Sequence, residues 1–92
     1  MAIQTVLIVD DSRLQRRIVS ALLSNWGLEV YEAASGAEAL DICKRVDPDL
    51  IVSDWMMPEM NGLTFCRKFR KLPRDSYGYF ILFAFRCQKD KI

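Results

Sequence analysis

Histidine is absent from the 92 residues. That excludes a histidine general base, a histidine metal ligand and a phosphohistidine donor site. The three cysteines, Cys43, Cys66 and Cys87, form no CxxC pair and are odd in number. Such usage suits a reducing compartment better than a disulfide scaffold. Neither sign of charge dominates, since 13 Lys and Arg stand against 12 Asp and Glu for a net +1. Neither nucleic acid nor an anionic membrane is therefore expected as a partner. The start, MAIQTVLIVDD, lacks the basic residues and apolar run of a signal peptide. No stretch approaches the roughly 20 apolar residues that span a bilayer. A soluble, cytoplasmic chain is the expectation. What is present is ordinary for a globular protein, with 51% hydrophobic and 27% charged residues. That composition excludes a disordered tail, a collagenous repeat and a low-complexity linker. The length suits one small domain with one modest core.

Apolar patterning predicts alternating strands and helices. Val6 to Val9 is an uninterrupted apolar run ending at Asp10-Asp11, as in a strand buried on both faces of a parallel sheet. Ser12 can cap a helix in which Leu14, Ile18 and Leu22 recur every four residues, and Gly27 can stop it. Leu28 to Ala33 reads as a second strand. Gly36 opens a helix with Ala37, Leu40, Cys43 and Val46 on one face, ended by Asp47-Pro48. Asp49 to Ser53 holds a third strand, followed directly by Asp54. A turn with Pro58, Asn61 and Gly62 leads to a third helix, whose buried stripe is expected to be Leu63, Cys66, Phe69 and Leu72. Arg67, Lys68, Arg70, Lys71 and Arg74 form its solvated basic face. Pro73 to Gly78 reads as loop, Tyr79 to Phe85 as a fourth strand, and Lys89 to Ile92 as the beginning of another element. The βαβαβαβ pattern implies one α/β domain with right-handed crossovers in a parallel sheet.

In such sheets ligands bind at the carboxyl ends of the strands. Asp10 and Asp11 end the first strand and Asp54 ends the third. If those strands are neighbours, three carboxylates converge on one rim. Converging carboxylates repel one another unless a cation sits among them. An all-oxygen donor set suits a hard ion such as Mg²⁺. A carboxylate can also act as a nucleophile on phosphorus. Any one of these aspartates could simply be a cap or turn former; it is the constellation of three that points to chemistry. A phosphatase with an aspartate nucleophile fits poorly, because Met56 stands where such enzymes carry a second Asp.

VLIVDDSRLQRRIV, LIVSDWMMPEMNGLTFCRKFR and the Tyr-Phe-Ile-Leu strand resemble the receiver domain of bacterial two-component response regulators. The resemblance runs along nearly the whole chain. It implies a flavodoxin-like open parallel sheet with flanking helices and strand order 2-1-3-4-5. It also implies Asp54 as phosphoacceptor, phosphorylated by a histidine kinase or phosphotransfer protein. Mg²⁺ would be held by Asp10, Asp11, Asp54 and the backbone carbonyl of Met56, while Pro58 and Gly62 match positions that shape the following loop.

Two departures stand out. The family carries Ser or Thr at the end of the fourth strand, where this sequence has Ala84 between Phe83 and Phe85. The family's fifth strand and its phosphate-binding lysine fall beyond Ile92, so residues 1–92 read as a truncated receiver of about four strands and three helices. Arg86 is the candidate substitute cation, with a solvent-facing side chain as the plainer reading. In that topology the fourth strand is an open sheet edge, which invites a homodimer through the Tyr79–Phe85 region. Two functions from different classes remain open. One is a phosphoacceptor signalling domain, capable at most of self-catalysed phosphotransfer and not otherwise an enzyme. The other is a degenerate receiver serving as a phosphorylation-independent interaction or dimerisation module.

Overall fold

The computed structural model of the protein describes residues 3–73 and 78–83. Within them the chain runs β1 (Thr5–Val9), α1 (Arg13–Asn25), β2 (Glu29–Ala33), α2 (Gly36–Arg45), β3 (Leu50–Asp54), α3 (Gly62–Arg70) and β4 (Tyr79–Phe83). The four strands are parallel in one sheet of order β2-β1-β3-β4, as the resemblance implies. The two central strands are the apolar runs that end in aspartate. Val6, Leu7, Ile8 and Val9 are all buried, so both faces of β1 are covered.

Local chemistry fixes the joints. Asp49 Oδ2 accepts hydrogen bonds from the backbone N–H groups of Gln4 and Thr5 at 2.9 and 3.0 Å, tying the start of β3 to the start of β1. Each helix begins at a side-chain cap. Ser12 Oγ accepts from the N–H of Gln15, Ser35 Oγ from Glu38 and Asn61 Oδ1 from Thr64. Such caps contribute about 1 kcal/mol each. Glu38 also reaches back, its Oε1 accepting from the N–H of Ala34 at 2.8 Å. After α1, Gly27 takes φ 84°, the left-handed conformation that ends helices at little cost for glycine.

Side chains alternate across the sheet. On the side covered by α2 and α3, Leu7, Val9, Ala33 and Ile51 pack with Ala39, Ile42, Met57, Phe65 and Phe69. Phe80 completes a cluster of rings with Phe65 and Phe69, their centroids 5.3–6.5 Å apart. On the other side α1 packs on β1 and β2, over Val6 and Ile8.

The helices differ from expectation in their phase. In α3 the buried residues are Gly62, Phe65 and Phe69; Leu63 is exposed, and Cys66 and Leu72 are half-buried. A three-residue spacing drifts off the 3.6-residue period, and the large Phe65–Phe69 pair takes the inward position. In α2 the inward positions are likewise Gly36, Ala39 and Ile42, with Leu40, Cys43 and Val46 at the margin and Ala37 exposed. The Leu14, Ile18 and Leu22 stripe of α1 is exposed. Arg70 is not simply solvated, because its Nη1 donates to the carbonyl of Gly78 at 2.7 Å and its guanidinium lies over the Phe69 ring. Arg67, Lys68 and Lys71 are exposed as expected. Of the remaining expectations, Arg74, Ala84, Phe85, Arg86, Cys87 and the Lys89–Ile92 element lie outside the described residues. Among the described residues no helix is long and apolar enough to cross a membrane.

Candidate functional site

β1 and β3 are hydrogen-bonded neighbours in parallel register, so their carboxyl ends meet at one rim of the sheet. Asp10, directly after β1, and Asp54, the last residue of β3, are buried there, and Asp11 is half-buried. One carboxylate oxygen from each of the three lies within 4.8 Å of the others. The sequence motif and the geometry coincide on Asp10, Asp11 and Asp54.

Backbone amides orient two of these side chains. Asp10 Oδ1 accepts from the N–H of Ser12 at 2.8 Å, so the aspartate shapes the turn that delivers Ser12 to its capping position. Asp54 Oδ1 accepts from the N–H of Met56 at 3.3 Å, which places Met56 beside the cluster. Burying ionised carboxylates together is costly unless opposite charge compensates. The donor set contains only oxygen and is compact, which fits a small hard cation such as Mg²⁺.

The loop after β3 is held close to the sheet. The N–H of Trp55 donates to the carbonyl of Phe83 at 2.7 Å, and the N–H of Gly62 donates to the carbonyl of Trp55 at 2.8 Å. A Cβ on Gly62 would lie 2.5 Å from the Asp54 carbonyl oxygen and 2.6 Å from Leu82 Cδ2, so only glycine permits this approach. Glu59 has φ 68°, a conformation that is sterically unfavourable for a residue with a Cβ. Trp55, Met56, Met57, Pro58 and Asn61 line an open depression beside the aspartates.

Sequence reasoning missed Arg16. Its Nη1 donates to the carbonyl of Asp10 at 2.7 Å, and its Nε pairs with Glu32 Oε1 at 3.4 Å. The link runs from α1 to the turn after β1 and to β2. Only knowledge that β2 lies beside β1 could have suggested it.

Comparison with known proteins agrees with the fold. The family model described as the response regulator receiver domain matches residues 6–86. A chemotaxis protein CheY homolog of Campylobacter jejuni is 45% identical over 67 residues, covering 71% of this chain and 52% of that protein. A probable transcriptional regulator ycf27 of Porphyridium aerugineum is 44% identical over 68 residues, covering 74% of this chain and 28% of that protein. This chain thus matches about half or less of each relative's length. Among solved structures, a CheY-like receiver domain from Methylobacillus flagellatus superposes with TM-score 0.86 at 25% identity, covering 94% of this chain and 74% of that one. Chemotaxis protein CheY4 of Vibrio cholerae gives TM-score 0.83 at 32% identity, covering 97% of this chain and 78% of that one.

The four-stranded parallel sheet is flavodoxin-like, and three carboxylates cluster at its carboxyl rim. The chain belongs to the response regulator receiver domain family. Its acidic cluster is assembled, which does not favour the degenerate alternative.

Proposed function

We propose that this chain accepts a phosphoryl group on Asp54 from a histidine kinase or phosphotransfer protein of a cytoplasmic two-component relay. A carboxylate oxygen of Asp54 forms the new P–O bond as the donor's P–N bond breaks. The imidazole leaves with that electron pair and is protonated from solvent. Asp10, Asp11, Asp54 and the backbone carbonyl of Met56 would hold Mg²⁺, which supplies positive charge to the phosphoryl oxygens. The Met56 N–H orients Asp54, and the turn formed by Asp10 and Ser12 sets the opposite wall of the site. The observation that carries this reading is the convergence of three carboxylates within 4.8 Å at the end of β3.

The phosphoryl acceptor in this scheme is the domain's own carboxylate, so no repeated turnover is proposed. Ala84 offers no hydroxyl where the family reads the phosphoryl group, nor do Phe83 and Phe85. Arg86 is the cation closest in sequence to that position. Phosphorylation is therefore expected to couple weakly to a change of shape.

The test is intact mass after incubation with Mg²⁺ and acetyl phosphate, beside an Asp54→Asn control and a chelator control. One added phosphoryl group, absent from both controls, is the expected result. No added mass in protein shown to be folded by circular dichroism overturns the proposal.

A further inference from the structure

Arg16 grips the acidic rim by its backbone. The side chain leaves the first turn of α1 and is only 15% exposed. Its Nη1 donates to the carbonyl of Asp10 at 2.7 Å, and its Nε donates to Glu32 Oε1 at 3.4 Å. Glu32 stands opposite Ile8 in the register of β1 and β2, so the guanidinium is anchored to the sheet. Arg17, the neighbouring cation, is 64% exposed and lies 3.9 Å from the same carboxylate oxygen.

The carbonyl that Arg16 holds belongs to the peptide group joining Asp10 to Asp11. That group is planar, so fixing its oxygen restricts the directions in which both carboxylates leave the chain. Two further bonds hold Asp10 itself. Its N–H donates to the carbonyl of Ala33 at 3.1 Å, and its Oδ1 accepts from the N–H of Ser12 at 2.8 Å. The Arg16 bond adds control of the step to Asp11. A planar guanidinium is pre-organised to make both of its bonds at once, which a lysine ammonium on a flexible stem cannot match.

Charge alone predicts the opposite of a supporting role. A cation close to three carboxylates weakens their attraction for a metal ion, so removing it would tighten binding. Removing a group that orients metal ligands weakens binding, commonly on the order of 10–100-fold. The loss also depends on the ion. Mg²⁺ demands near-ideal octahedral geometry, whereas Ca²⁺ accepts roughly six to eight oxygens in flexible arrangements. A loosened turn therefore costs Mg²⁺ more than Ca²⁺.

We propose that Arg16 is a positioning residue that sets the Asp10–Asp11 pair for Mg²⁺ in preference to Ca²⁺. The proposal rests on the reading of Asp10, Asp11 and Asp54 as a Mg²⁺ site. Arg16 acts through the peptide between the two aspartates, and Glu32 keeps its guanidinium in place.

Fluorescence titrations with Mg²⁺ and with Ca²⁺ test it, read from Trp55 in a Trp26→Phe background. Trp55 follows Asp54 directly, and Trp26 is 70% exposed at the far end of α1. Arg16→Met is expected to raise the Mg²⁺ dissociation constant about tenfold, and the Ca²⁺ constant by a smaller factor. Arg16→Lys keeps the charge but not the fork, and is expected to fall between wild type and Arg16→Met. It also carries the test if circular dichroism shows that Arg16→Met does not fold. Unchanged or tighter Mg²⁺ binding in the folded variants overturns the proposal and leaves the metal site standing. So does an equal loss for the two ions, which would mark a general loosening of the fold. Wild-type protein that binds neither ion overturns the metal-site reading and the proposal with it.

Discussion

The two faces of one sheet follow different rules in this protein. On the α2–α3 side, Leu7, Ile51, Phe65 and Phe69 are buried in a continuous core, and Phe80 closes the ring cluster at the open strand. On the α1 side, burial is complete only under the helix, at Val6 and Ile8, and fades across β3 to Ile81. Strand chemistry does not account for this, since β4 is apolar on both faces. Among the described residues the difference is helical cover, two helices against one. Apolar sequence states what a surface can bury, and the count of covering elements decides what it does bury.

Stability measurements can break this comparison. Phe65→Ala removes a buried ring that touches both Phe69 and Phe80. Such truncations cost about 3–5 kcal/mol. Ile81→Ala removes a side chain that is half in water, and within the monomer it is expected to cost within about 0.5 kcal/mol. Urea denaturation of both variants at concentrations where the chain is monomeric gives the two values. Similar losses would show that the α1 face is packed as tightly as its opposite.

The next effect asks whether the tight packing of the closed side extends to the acidic rim. At Gly62 an added Cβ meets the backbone oxygen of Asp54 at 2.5 Å, and neither strand nor helix can yield without moving the aspartate. Gly62→Ala is expected to cost about 1–3 kcal/mol by overpacking and to reduce phosphoryl uptake at Asp54. Gly36 gives the internal contrast. There a Cβ meets Met60 Sδ at 2.6 Å, the far end of a flexible side chain that can turn aside. Gly36→Ala is expected to change stability by less than about 1 kcal/mol, since helix propensity favours alanine. Urea midpoints rank the pair, and equal losses would mean that the Gly62 loop gives way more readily than its contacts imply.

The same division marks what could be read from sequence. The strands were legible because VLIV and LIV are short apolar runs, and each ends in the aspartates that the register of β1 and β3 brings together. The caps at Ser12 and the stop at Gly27 were legible because their chemistry is local. Helical phase was less so. Leu63 and Phe65 are both apolar, and only the space beneath α3 selects Phe65. The Leu14–Ile18–Leu22 repeat correctly marked a helix, but periodicity cannot say whether anything lies against it. Arg16 at the carbonyl of Asp10 and Asp49 at the start of β1 are tertiary contacts, with no signature short of the strand order itself.

The smallest effect expected comes from the sheet's far edge. Tyr31 on β2 donates its hydroxyl hydrogen bond to Glu29 Oε2 at 2.6 Å. That bond, helped by partial desolvation and by the negative charge of Glu29, raises the Tyr31 pKa above its ordinary value of 10.0, with Arg45 opposing. A phenol that holds its proton more tightly when folded adds stability that is fully present below the unfolded value. The contribution fades as pH rises through the higher folded value. Wild-type protein is therefore expected to lose stability slightly more steeply than Tyr31→Phe above about pH 10. The two are expected to run parallel between neutral pH and about pH 9. Urea midpoints for both proteins across that range decide the matter. Parallel curves above pH 10 as well would mean that the Tyr31–Glu29 bond is made equally in the unfolded chain, where the two residues are already only two positions apart.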